Sequence, residues 1–167
     1  MILHATARLA AKLPAVAAEP IASTDTLGAW HGNLYVVDRR QCVMLCHDLT
    51  RYVLFLAGFT KATFAELNAA FGGLYLASLD AMGCAPATLA RVRLAIGPLQ
   101  ADTRTDRSVL SAMRVAKGDF EPFLWHGTHV LDLDPLAIAA RLNERPTRAR
   151  GEWLWPAKAM RERVERL

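Results

Sequence analysis

The stretch NLYVVDRRQCVMLCHDLTRYVLFLAG, residues 33–58, contains three β-rich runs, NLYVVD, QCVMLCH and RYVLFLAG. They are separated by the polar joints DRR and DLT, which are short enough to be hairpin turns. The simplest fold for such a series is an antiparallel meander. The third run is apolar almost throughout, the pattern of a strand covered on both faces, so it is expected at the centre of the sheet.

On either side of the meander the pattern changes from period two to period 3.6. Upstream, Ile2 to Ala5 reads as a short strand and Thr6 to Leu13 as a helical turn or two. Pro14 and Pro20 then open a loop that runs to about Leu27. Downstream, Phe64, Leu67, Phe71, Leu74, Tyr75, Leu79 and Met82 recur at three- and four-residue intervals. That spacing predicts a helix over 61–83 lying across the sheet, with Gly72 and Gly73 marking a kink or a close helix contact. Pro86 begins a second helix to 96, Leu99 to Thr103 offers a short strand, and 106–117 forms an amphipathic helix. HVLDLD at 129–134 reads as an edge strand, and Asp134 with Pro135 as the start of a further helix. NERPTRARGEW reads as a linker, followed by a last short helix from Pro156. The fold class is therefore α+β: a small antiparallel sheet, the three-stranded meander plus one or two short strands, covered by several helices. Residues 1–145 form a single domain and 146–167 a basic, Trp-containing C-terminal extension.

Composition sets limits. With 167 residues, 53% hydrophobic content and a net charge of +4, the chain can enclose one core and is not disordered. Its longest apolar run, YVLFLAGF, is far short of the roughly 20 residues that span a bilayer, so no membrane association is expected. Arg8 and Lys12 interrupt the N-terminal segment where a signal peptide needs a continuous apolar stretch. Cys42, Cys46 and Cys84 form no C-x-x-C pair, which suits thiols kept reduced in the cytoplasm. Residues 141–167 carry eight Arg or Lys against four Glu, a bias that attracts phosphate-rich partners if it is not neutralised by local ion pairs.

Three groups of residues could carry chemistry. TRTDRSVLSAMR, 103–114, opens a helix. Its first amides with Arg104, Arg107, Ser108 and Arg114 could receive a phosphate or carboxylate, or Thr105 or Asp106 could simply cap the helix. At 30–33, Trp30 could stack on a flat ligand while His31 and Asn33, on the other face of the strand, share a polar pocket; equally, Trp30 could fill the core. Trp153 and Trp155 could anchor a protein partner. Cys42 and Cys46, about 13 Å apart in a strand, cannot share a zinc ion, and the pair His126 and His129 lacks companions, so no metal is assigned. No Walker loop, G-x-G-x-x-G, G-x-S-x-G or H-E-x-x-H is present, and no cofactor is implied.

The motifs W-H-G-N-L at 30–34, D-R-R-Q at 38–41, H-D-L-T-R-Y at 47–52 and T-x-T-D-R-S-V-L-S-A-M at 103–113 together resemble a family of uncharacterised bacterial proteins known as a domain of unknown function. The resemblance runs over about residues 1–145. It implies a small cytoplasmic domain and supplies no reaction, cofactor or partner. Arg114 stands where the family more often has Asn, and the tail after about 146 looks like an addition. The residues themselves favour a non-enzymatic module for a phosphate-bearing partner, nucleic acid foremost. Two alternatives stay open: a small enzyme in which His31 acts as acid or base and Arg107 holds an anionic substrate, and a protein-interaction module using the Trp-rich tail. The oligomeric state is left open.

Overall fold

The computed structural model describes residues 1–22 and 26–167. Part of the expected loop between Pro14 and Leu27 thus lies outside the described residues. The meander forms as read: β2 (Trp30–Val37), β3 (Arg40–His47) and β4 (Val53–Phe59) pair antiparallel. Its first turn places Asp38 and Arg39 at φ of 47° and 60°, the left-handed geometry that matches the twist of a two-residue hairpin.

The sheet is larger and of mixed direction. Strand β1 (Ile2–Ala5), followed by the short helix α1 (Ala7–Ala10), lies parallel to β2 on one side and to β5 (Gln100–Asp102) on the other, giving the order β4-β3-β2-β1-β5. The expectation of an antiparallel sheet is corrected here, because β1 takes an interior place. Leu3 and Ala5, on one face of it, are fully buried, as an interior strand packed against the core requires.

The third meander strand is an edge strand, not a central one. It reads as apolar because three helices cover it. Leu54 faces the core beneath α2 (Leu67–Ala81), whereas Val53 and Phe55 face the core beneath α4 (Arg107–Phe120). α5 (Pro135–Asn143) closes the open edge. There the buried Asn143 accepts a hydrogen bond from Val53 N at 2.7 Å and donates to Val53 O and Ala139 O at 2.7 Å each. A side-chain amide thus takes the place of a neighbouring strand and protects an edge that would otherwise be open to pairing.

The apolar stripe from Phe64 to Met82 packs on the sheet as expected. Its first turn, Thr63–Glu66, is 3-10, and α2 runs unbroken through Gly72, whose hydrogen face meets Ile96 near the end of α3 (Pro86–Ala95). Arg51 and Tyr52, expected within the third strand, precede it. Arg51 turns the chain at φ 57° and is buried.

HVLDLD is a 3-10 turn over Val130–Asp132 rather than a strand. The Asp38 carboxylate accepts from Val130 N, and the His129 ring accepts from Leu131 N; these side-chain bonds satisfy the backbone without a ladder. The supposed linker is a hairpin of β6 (Thr147–Ala149) and β7 (Glu152–Leu154), turned by Arg150 and Gly151 at positive φ. Beyond it, α6 (Pro156–Glu165) sets Met160 and Val164 into the same core as Trp30. No helix among the described residues is long and apolar enough to cross a membrane.

Candidate functional site

Pairing places five residues in one row across a single face of the sheet: Val53 on β4, Cys46 on β3, His31 on β2, His4 on β1 and Asp102 on β5. The first two are covered by α4 and α5. The last three are polar because the chain leaving β5 turns over them into α4 and leaves a cleft of about 480 Å³. His4, His31, Asp48, Arg104, Asp106 and Arg163 line it.

The floor of this cleft is a joined pair. His4 Nδ1 donates to Asp102 Oδ1 at 2.6 Å. Asp102 is 1% exposed and also accepts from Ile21 N at 2.8 Å and Arg104 N at 3.0 Å. Burial works to raise the pKa of this carboxyl. The bonds from His4 and the two amides outweigh it and hold the group below its ordinary value,. An ionised Asp102 fixes the proton of His4 on Nδ1. The Nε2 of His4 makes no bond among the described residues,.

His31 is locked in the opposite sense. Its Nε2 accepts from Asp106 N at 2.8 Å, so the neutral ring must carry its hydrogen on Nδ1. That Nδ1 is buried without a hydrogen-bond partner, 3.9 Å from Asp48 Oδ1. Burial lowers the pKa of His31 to about 4, so near neutral pH the cleft holds an uncharged donor. The two imidazoles stand 5.0 Å apart between centroids. The cleft is therefore lined by two imidazoles, Arg104 and a share of Arg163. The latter also fastens the carbonyls of Thr26 and Leu27. A larger hollow of about 800 Å³ lies between α3 and α6, but no buried carboxylate or imidazole among the described residues lines it.

The residues singled out in the sequence separate. Trp30 does not stack on a ligand: it is fully buried, packed edge-on against His47, Phe71 and Tyr75. Trp30→Phe is expected to cost about 1–2 kcal/mol in urea unfolding by opening a small void, while cleft binding stays intact. Asn33 accepts from Thr6 Oγ1 and does not line the cleft. Ser108 accepts from Arg51 Nη2 at 3.0 Å, outside the cleft. The amides of Ser108 and Val109 are taken by Asp106, which caps α4, so the helix entrance is closed by its own carboxylate. Arg107 and Arg114 are exposed on α4 and are not among the residues that line the cleft with His31, whereas Arg104 is.

His4, Asp102, Asp48 and Arg163 were missed as a group. The available signal was small: a lone histidine in the apolar run ILHA, and an aspartate ending a three-residue strand. Among the described residues no group of three or more His, Cys, Asp or Glu side chains is arranged to hold a metal ion.

The family model described as Domain of unknown function (DUF6933) matches residues 2–159. The chain belongs to that family. The DUF6933 match runs past residue 145, where the motif resemblance ends, through the β6–β7 hairpin and into α6. No curated protein and no solved structure matches the chain.

Proposed function

We propose that the cleft over β1, β2 and β5 binds a small anionic molecule bearing a phosphate or carboxylate group, and that His4 exchanges a proton with it. The observation that carries this reading is the His4–Asp102 pair. A buried, triply hydrogen-bonded carboxylate orients an imidazole whose second nitrogen makes no bond among the described residues. Such an arrangement sets up a general acid or base at one nitrogen. Arg104 supplies the charge that recognises the anion, and the Nδ1–H of His31 with Asp48 can orient a neighbouring hydroxyl. This reading puts the phosphate-bearing ligand expected from the sequence on Arg104 and the sheet floor rather than on the α4 amides.

The test is titration of the folded protein with inorganic phosphate and with a dicarboxylate, following the imidazole resonances by NMR. Saturable shifts of the His4 ring are expected. Arg104→Ala should weaken binding about tenfold, the scale of one charge-assisted hydrogen bond. His4→Gln should leave affinity nearly unchanged but abolish any proton transfer. If neither probe moves the His4 resonances, or if Arg104→Ala binds as well as the parent, the reading is wrong.

A further inference from the structure

A second polar hollow lies on the outer side of α4, distinct from the cleft. It is a groove of about 350 Å³ between α4 and the β6–β7 hairpin. Ser108 and Ser111 line one wall; Arg145, Arg148 and Trp153 line the other. Trp153 is 71% exposed and Trp155 54%. The chain is extended from β7 through Trp155, so these two indoles, two residues apart, stand on one side of it. They are spaced about 7 Å along the strand, roughly twice the 3.4 Å rise of stacked bases.

Cations outnumber anions around this groove, where Asp119 and the exposed Glu152 are the nearby carboxylates. Arg107 and Arg114 flank Ser111 on the exposed stripe of α4, and neither meets a carboxylate among the described residues. Arg150 projects from the hairpin turn. Arg148 uses its Nε on Gly151 O and keeps its terminal nitrogens. Arg145 is neutralised by Asp119 at 2.5 Å, so Arg148 is the lining arginine that keeps donors, and the exposed Arg107 and Arg114 of α4 and Arg150 of the hairpin complete a cationic rim on neighbouring chain positions.

From the two exposed indoles and this rim we infer that the α4–hairpin groove binds single-stranded nucleic acid. Bases splay onto Trp153 and Trp155 while their phosphates meet the arginines and the two serines. Exposed aromatic faces bordered by free guanidinium groups are what a flexible strand requires; a duplex hides its bases and could use only the charge. An acidic protein segment would also use the charge but would gain little from a pair of exposed indoles.

The experiment is fluorescence anisotropy with three labelled probes: a 12-nucleotide oligodeoxythymidine, a duplex of the same length, and an oligoglutamate peptide. The single strand should bind at least tenfold tighter than either of the others. Trp153→Ala should weaken it about tenfold, and Trp153→Phe should restore most of the loss. Arg107→Ala with Arg114→Ala should reduce the slope of log affinity against log salt by about 1.4, or roughly 0.7 for each phosphate that no longer meets a guanidinium. Equal binding of duplex or peptide, or an unaltered affinity in Trp153→Ala, would overturn the inference. Arg104→Ala and His4→Gln leave this groove untouched, so they should not alter strand binding, and the cleft and the groove can fail separately.

Discussion

Acidifying the protein from pH 7 to pH 4 is expected to remove about 6 kcal/mol of folding stability, on the order of 3 kcal/mol from each of two buried histidines. Burial lowers the pKa of His31 to about 4 and that of His47 to about 3, from an ordinary 6.5. At His31, Asp48 and Asp106 pull the other way while His4 and Arg51 add to the lowering; at His47, the bond to Leu27 O pulls the other way while Arg163 and Arg51 add. His47 is satisfied as a neutral ring, with Nε2 donating to Leu27 O and Nδ1 accepting from Thr50 N.

The unfolded chain takes up a proton at each histidine as pH falls through 6.5, whereas the folded chain does not until about 4 or 3. The stabilisation is therefore complete above 6.5, is lost as pH falls from there, and levels off below the folded values,. Asp102 and Asp106, held below the ordinary carboxyl value, contribute their own loss only at still lower pH. A total of about 6 kcal/mol rivals the whole stability of many domains, so unfolding near pH 4 is expected. Urea titrations at pH 7, 6, 5 and 4 measure the slope. His31→Gln and His47→Gln should each reduce it by one proton. A flat profile, or a His31 ring that titrates near 6.5 by NMR, would refute this account.

Asn143→Leu is expected to cost about 4 kcal/mol in urea unfolding. The substitution keeps the volume but removes three hydrogen bonds, leaving Val53 N–H, Val53 O and Ala139 O without that partner in a buried setting. Each abandoned group costs about 1–3 kcal/mol. Asn143→Asp probes the same bonds by another route: it keeps an acceptor for Val53 N–H but turns oxygen against oxygen at Val53 and Ala139. Losses below about 1 kcal/mol in both variants would show that the edge of β4 is held by packing alone. The seal also bears on solubility, because partial release of α5 would bare the backbone of an apolar strand.

Most of the architecture was legible because hydrophobic period reports burial. The meander, the stripe from Phe64 to Met82 and the Pro-started helices all follow from it. Period does not report which strands lie side by side, so the parallel insertion of β1 between β2 and β5 had no local signature. The covered edge strand β4 read as central for the same reason: helices on both faces leave the pattern that neighbouring strands would accompany. The turns at Val130–Asp132 and at Arg150–Gly151 depended on side-chain bonds and positive φ. The site was less legible still. The arginines and His31 were visible, yet the residue that orients the chemistry, Asp102, stands 98 positions from His4, and only the strand order brings them within 2.6 Å.

The interior place of β1 also dictates an assembly sequence. Residues 30–59 bring their partners together over short loops, so this part can form while synthesis is still under way. Strand β1 must wait until position 102 has left the ribosome before both its flanks are matched. Completion of the cleft is thus expected to come late in folding, and the check is whether substitutions in β1 or β5 lower the refolding rate less than those in the meander.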